Sequence, residues 1–414
     1  MAEGTTAGGR LVVALVSPHF RPHIGGVEVH VEKLAQHMAA RGHQVDVLTH
    51  GFGDAPMVED ADGYTVRRFG SLTPSQAYPW SPALGHHLRT ARYDVVHAHN
   101  YHGVPFLQAG RCPSPYLVVT PHYHGGGHTG MARAAHRLWR PLCRSTWRRA
   151  DAVIAVSEAE RALITRHVPE VDGRVRVIGN GVDTPPAGRT GPPLIPAPYV
   201  LVVARLEPYK QIGVVLEALA ACRHPELHLL VVGKGPEFSA LRSRAGELGV
   251  APRVWFRSDL DGTEMASAYR EATCYVTMSR REAFGLTLAE AMAAGVHVIA
   301  SDIPAHQDVL RLGGREPTGL LPLDATGDRV AEEIDRLLAE PPPPRAAYAS
   351  WASVTRAVLA VYDEVRGRRR AQGSASGRPA PGRPAPDRPV SDRSVPDRSV
   401  PDRSASETAP GVSG

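Results

Sequence analysis

Arg281-Glu282-Ala283-Phe284-Gly285-Leu286-Thr287-Leu288-Ala289-Glu290-Ala291-Met292-Ala293-Ala294-Gly295 is the stretch that decides how this chain reads. Two carboxylates stand eight positions apart, one before and one inside a short helix that opens on a Phe-Gly-Leu turn. Gly285 lets the backbone approach a ligand closely. The unpaired N–H groups of the new helix then face that ligand and attract anions, phosphates above all. Glu282 and Glu290 are acceptors suited to hydroxyl groups. Amides for phosphate beside carboxylates for hydroxyls are what a nucleotide sugar asks of a site. The bland alternative is an amphipathic helix with Leu286, Ala289 and Ala293 packed inward and Glu290 solvated.

At 414 residues the chain is long enough for two domains. With 43% hydrophobic residues it can fill sizeable cores, and a net charge of +5 permits an acidic ligand. No basic block with interleaved aromatics of the kind that stacks bases is present, which argues against a nucleic-acid partner. Cys112, Cys143, Cys222 and Cys274 are scattered without metal-ligand spacing and fit reduced thiols. The N-terminal run Leu11–Val16 is too short to span a bilayer, so a cytoplasmic enzyme is expected.

Outward from the opening stretch, short apolar runs alternate with helical patterns. Leu11–Val16, Gln44–Thr49, Val95–Ala98, Tyr116–Thr120, Ala152–Val156 and Val175–Ile178 read as buried strands, with Glu28–Arg41 an amphipathic helix among them. The Pro/Gly-rich segment 184–198 reads as a linker, because it can continue neither helix nor central strand. Strands then restart at Tyr199–Ala204, Leu227–Val232, Val254–Phe256, Cys274–Met278 and Val296–Ala300, with helices at Ile212–Cys222, Ser239–Leu248 and Phe284–Ala294. Alternation of this kind implies two doubly wound Rossmann-like α/β domains, 1–183 and 199–345, facing across a cleft. In such sheets ligands bind at the carboxyl ends of the strands. Residues 346–370 read as a final helix. The tail 371–414, with an arginine every five residues from Arg378 to Arg403, is too poor in apolar side chains to order itself.

The opening stretch resembles the Glu-x7-Glu signature of glycosyltransferase family 4. Further blocks carry the resemblance from about Leu11 to Arg366: Pro22-His23-Ile24-Gly25-Gly26-Val27-Glu28, Thr120-Pro121-His122-Tyr123-His124, Asn180-Gly181-Val182-Asp183 and Ala204-Arg205-Leu206-Glu207-Pro208-Tyr209-Lys210. The resemblance implies the two-domain GT-B fold, with the last helix crossing back to the first domain, which would hold the acceptor. It implies a retaining hexosyltransferase that moves a sugar from a nucleoside-diphosphate sugar to an acceptor hydroxyl in cell-envelope glycan, glycolipid or secondary-metabolite synthesis. By the same resemblance Arg205 and Lys210 hold the donor diphosphate, Glu282 the sugar hydroxyls and Glu290 the ribose. Main-chain groups at Phe284, Gly285 and Leu286 contact sugar and phosphate, and His122 lies beside the transferred sugar. Gly25 and Gly26 lie against the phosphates or the acceptor; read alone, they are a turn before a helix.

Neither a cofactor nor a metal is expected. Asp60-Ala61-Asp62 and Asp259-Leu260-Asp261 read as acidic turns, and the glycine loop bearing His124 and His128 is a poor cage for an ion. Val231-Val232-Gly233-Lys234-Gly235-Pro236 fails the dinucleotide fingerprint for want of the third glycine. The basic segment Met131–Ala150, with Trp139 and Trp147, either rests on an anionic membrane or packs its tryptophans on the domain, with Pro141 interrupting its helix. A lipid-linked, carbohydrate or small-molecule acceptor all remain open. So do two other functions on this fold: a nucleotide-sugar epimerase and a non-catalytic sensor.

Overall fold

The computed structural model describes residues 9–23, 25–51, 53–73, 79–125, 130–183, 193–316 and 319–375, without side-chain detail for 130–138, 370 and 372–375. The first sheet has eight strands: β1 (Val12–Val16), β2 (Gln44–His50), β3 (Val58–Ala61), β4 (Tyr64–Phe69), β5 (Val95–His99), β6 (Tyr116–Thr120), β7 (Ala152–Ala155) and β8 (Val175–Val177). Their order is β3-β4-β2-β1-β5-β6-β7-β8, and every pairing is parallel except β3 with β4. Helices α1 (Gly26–Ala39), α2 (Pro82–Thr90), α3 (Val104–Ala109), α4 (Gly130–Arg149) and α5 (Glu158–His167) connect them. The apolar runs read from the sequence are the parallel strands; the central ones are buried, but the edge strands β8, expected to be buried, and, in the second sheet, Val254–Arg257 expose Val177 and Trp255. The edge pair β3 and β4 escapes that reading because it has no such run: β4 buries alternate residues, including Arg68.

The second sheet has five parallel strands, β9 (Tyr199–Val203), β10 (His228–Val232), β11 (Val254–Arg257), β12 (Cys274–Thr277) and β13 (His297–Ala300), in the order β11-β10-β9-β12-β13. Around it lie α6 (Ile212–Ala221), α7 (Phe238–Glu247), α8 (Gly262–Glu271), α9 (Leu286–Ala294), α10 (Pro304–Leu312) and α11 (Gly327–Leu338). In each sheet the chain reverses its direction of growth beside one strand. The switch falls between β1 and β5 in the first sheet and between β9 and β12 in the second. Loops leaving adjacent strands there diverge, which opens a crevice.

Residues 1–368 form one compact unit holding both sheets. The last helix, α12 (Trp351–Ala375), returns to the first sheet. Val354, Val358 and Tyr362 share a core with Val13, Leu34 and Met38. The Tyr362 hydroxyl lies 2.7 Å from His97 Nδ1, and the Val182 amide donates to the carbonyl of Ala349. Gly181 has no room for a side chain, since a Cβ there would lie 2.6 Å from the Trp351 nitrogen. The helix begins at Trp351 rather than 346 and continues to Ala375, five residues into the segment expected to lack structure. Residues 376–414 and most of the linker, 184–192, lie outside the described residues.

Trp351 is 2% exposed and ties α12 to the first domain. Trp351→Ala is expected to lower unfolding stability by about 3–5 kcal/mol, as for other large buried side chains. In urea the midpoint should fall at unchanged slope; an unmoved midpoint would show that the helix contributes no packing there.

Candidate functional site

The expected site residues stand at the carboxyl ends of strands. Arg205 and Lys210 follow β9, and Glu282 follows β12, its neighbour across the switch point of the second sheet. Lys210 Nζ lies 2.5 Å from Glu282 Oε1, with both side chains largely buried. Burial opposes the charge of each. For Glu282 the Lys210 ammonium and then His306 outweigh it, holding the carboxyl below its usual range. For Lys210 the same pairing, helped by Tyr209, raises the ammonium. The pair is therefore ionic, and two of the three ammonium protons remain for another acceptor.

Tyr209 organises the cations. Its hydroxyl lies 3.1 Å from Arg205 Nη2, its ring lies under Lys210 Nζ at 5.2 Å, and Arg281 stacks over it at 5.6 Å. The Arg205 guanidinium is about half exposed (47%), so it can still reach a ligand. A Cβ added at Gly25 would come within 4.0 Å of Arg205 Cδ and 2.5 Å of Glu28 Oε2. The near contact is with the movable end of the Glu28 side chain, and the approach to Arg205 sets the first domain's loop against the second domain's arginine. Gly26 has open space where a side chain would go.

Gly285 caps α9 with φ +101°, a left-handed conformation that favours glycine. A Cβ there would also press on the His306 ring at 3.3 Å. Leu286 and its successors open the helix, so their N–H groups point out of its start. Phe284 is buried against Gly179, and Ser157 Oγ donates to the carbonyl of Ala283 at 2.8 Å. The motif therefore also joins the two domains. Glu290, in α9, accepts from the Tyr269 hydroxyl at 2.7 Å. Burial pushes its carboxyl up to about 7 against the Tyr269 hydrogen bond.

His122 follows β6 and is buried with φ +48°, an uncommon conformation for a residue with a side chain. Its ring neighbours are His30 at 5.0 Å and His99 at 5.8 Å. Burial, then His30 and His97, keep its imidazole neutral by lowering its pKa well below the usual value. It belongs to a group of imidazoles on the first domain. Glu28, Tyr209, Tyr269 and His306 carry no expectation from sequence. Only Glu28 and Tyr209 sit inside recognisable blocks, and nothing in the sequence pairs Tyr269 with Glu290.

Other sequence features resolve structurally. Asp261 caps α8 in a reciprocal box with Glu264, and Asp60 accepts from Thr65 Oγ1 at 3.0 Å. Gly233 and Gly235 lie flat against the backbone of Ala204 and Leu206, where a Cβ would clash at 1.9 and 2.3 Å. Helix α4 runs on through Pro141, contrary to the expected interruption. Trp139 donates to the carbonyl of Tyr101 at 2.9 Å, and Trp147 is buried beside Phe106. Both tryptophans thus pack on the domain. Among the described residues no helix is long and apolar enough to cross a membrane.

Comparison with known proteins agrees with this fold. The profile of Glycosyltransferase Family 4 matches residues 24–185, and that of Glycosyl transferases group 1 matches residues 195–352. A GDP-mannose:cellobiosyl-diphosphopolyprenol alpha-mannosyltransferase of Xanthomonas campestris is 30% identical over 374 residues, 85% of this chain and 93% of its own length. A phosphatidyl-myo-inositol mannosyltransferase of Mycobacterium tuberculosis is 30% identical over 399 residues, covering 86% and 97%. Among solved structures, a sucrose-phosphate synthase from Thermosynechococcus elongatus superposes with a TM-score of 0.67 at 24% identity, covering 88% of this chain and all of that one. That likeness shows the GT-B fold.

Glu290 allows a test of its surroundings. Its folded-state pKa of about 7 exceeds the unfolded value of 4.5. The native state therefore binds the proton more tightly, and stability is lost as pH rises from 4.5 through 7. Glu290→Gln removes that loss. Comparing urea midpoints at pH 5 and pH 8, the variant should gain on the parent by roughly 2 kcal/mol at the higher pH. A gap that does not change with pH would show that Glu290 is not held in a protonation-favouring environment.

Proposed function

This chain belongs to glycosyltransferase family 4, and we propose that it transfers a hexosyl group, with retention of configuration, from a nucleoside-diphosphate sugar to an acceptor hydroxyl. The observation that carries the reading is the Lys210–Glu282 pair at the switch point, with Arg205 beside it and the Gly25 loop opposite. Arg205 and Lys210 hold the diphosphate, Glu282 takes sugar hydroxyls and Glu290 the ribose. The amides at Gly285 and Leu286 lie toward phosphate and sugar, and His122 lies on the sugar's other side.

In the reaction the bond between the sugar's anomeric carbon and the phosphate oxygen breaks. The acceptor oxygen bonds to that carbon on the same face, and its proton passes to the departing phosphate. Charge builds on the diphosphate as it leaves, so fixed cations and helix-start amides there stabilise the transition state more than the ground state. With Lys210 on one of its oxygens, Glu282 serves as a holder of hydroxyls rather than as a nucleophile. The cations of the site do for the diphosphate what a divalent metal does elsewhere, and no cofactor is needed beyond the donor. The names of the two relatives make GDP-mannose the first donor to test, and lipid-linked hydroxyls the first acceptors. Contact with a membrane surface would fall to the exposed Arg140, Arg144, Arg148 and Leu142 of α4.

The test is to incubate the full chain with labelled GDP-mannose or uridine-diphosphate hexoses and polyprenyl-diphosphate or phosphatidylinositol lipids, following released nucleoside diphosphate and labelled lipid. Lys210→Ala is expected to lower turnover by at least about 100-fold, the scale of losing one charge-stabilising donor, with its circular dichroism unchanged. Near-normal turnover in that variant would remove the diphosphate assignment. Glu282→Ala should damage transfer more than it weakens binding of free nucleoside diphosphate; equal damage to both would contradict its role on the sugar. Binding of a sugar nucleotide without release, with every acceptor offered, would identify a sensor instead.

A further inference from the structure

Four histidines crowd the carboxyl ends of β5 and β6, and only one of them has both nitrogens satisfied. His97 has Tyr362 Oη at 2.7 Å on Nδ1 and Thr120 Oγ1 at 2.7 Å on Nε2. The other three do not. His30 Nε2, His122 Nε2 and both ring nitrogens of His99 are buried without a hydrogen-bond partner. A buried polar atom left unpaired costs about 1–3 kcal/mol, so four such atoms in one place call for an occupant. One nitrogen from each of His30, His99 and His122 lies within 4.8 Å of the other two.

We propose that His30, His99 and His122 form a binding site for a divalent transition-metal ion of the zinc class, separate from the donor diphosphate. The ligand set is three imidazoles, which suits zinc, copper, nickel and cobalt and leaves a fourth position for water or a ligand oxygen. The supports are rigid: His30 lies in the second turn of α1, and His99 ends β5 beside Thr120 of β6. His122 is held in left-handed backbone just past β6, a strain of about 1–3 kcal/mol that tends to mark functional positions. His30 has the outer partner that metal-bound histidines use. Its Nδ1 lies 2.8 Å from Asn180 Oδ1, which places the proton there and leaves Nε2 free to ligate. Tetrahedral zinc with nitrogens at about 2.0–2.1 Å sets them roughly 3.4 Å apart. From separations of at most 4.8 Å each nitrogen then moves inward by no more than about 0.8 Å. A water at ordinary hydrogen-bond distance would sit among the rings without that movement, and it is the competing occupant.

The test uses the untagged full chain, dialysed against a chelator and then titrated with cobalt(II). Expected are one equivalent bound, a visible absorption band of a tetrahedral nitrogen-ligated ion, loss of that band on adding one equivalent of zinc, and a rise in melting temperature with zinc. His99→Gln and His30→Gln should each weaken cobalt binding by at least 100-fold, whereas His124→Gln, on the neighbouring loop, should leave it unchanged. No stoichiometric binding by the folded parent chain, or a band that survives both His99→Gln and His30→Gln, would overturn the site in favour of water. Neither readout involves glycosyl transfer, so the metal site and the donor-site reading can fail separately.

Discussion

The Lys210–Glu282 ion pair is the constraint on which the site depends. Two charges taken out of water are expensive unless each has its partner, and removing one strands the other at a cost of several kcal/mol. The pair thereby ties the loop after β9 to the loop after β12, adjacent strands whose connections diverge. The Arg280 amide, donating to the Tyr209 carbonyl at 2.9 Å, joins the same two loops. Once joined, they bring Arg205, Tyr209 and the start of α9 round one space, with Gly285 giving the turn that the helix start requires.

Contacts between the domains build on the same motif. Ala283 and Phe284 sit between the two carboxylates of the signature, yet they face the first domain, through Ser157 and Gly179. From the other end of the chain, Trp351 and Tyr362 bind α12 to the first sheet. The second domain, the loop that carries Glu282 included, is thus tied at more than one place to the first domain. Facing Arg205, the first domain offers Gly25 and Glu28, and burial raises the Glu28 carboxyl to about 7.

Much of this was legible in the sequence, for a physical reason. Buried parallel strands are apolar runs, so most strands could be read directly; β3 and β4 could not, because β3 buries no side chain fully and β4 only alternate ones. Gly285 could be read as the turn opening a helix, whereas Arg205, Lys210 and Glu282 were singled out through the family resemblance, and they do follow the ends of β9 and β12. What could not be read were partners distant in sequence: Tyr269 under Glu290, His306 against Gly285, and the three histidines brought together from α1, β5 and the segment after β6. His122 was expected from the resemblance beside the transferred sugar, and its imidazole neighbours His30 and His99 could not be read from its own block.

The central claim is that the donor's diphosphate sits between Arg205 and Lys210, and a crystal of the chain soaked with guanosine diphosphate tests it most directly. The account predicts phosphate oxygens within about 3 Å of Lys210 Nζ and of the Arg205 guanidinium, with Lys210 still paired to Glu282. Diphosphate density elsewhere, with Arg205 and Lys210 untouched, would contradict it.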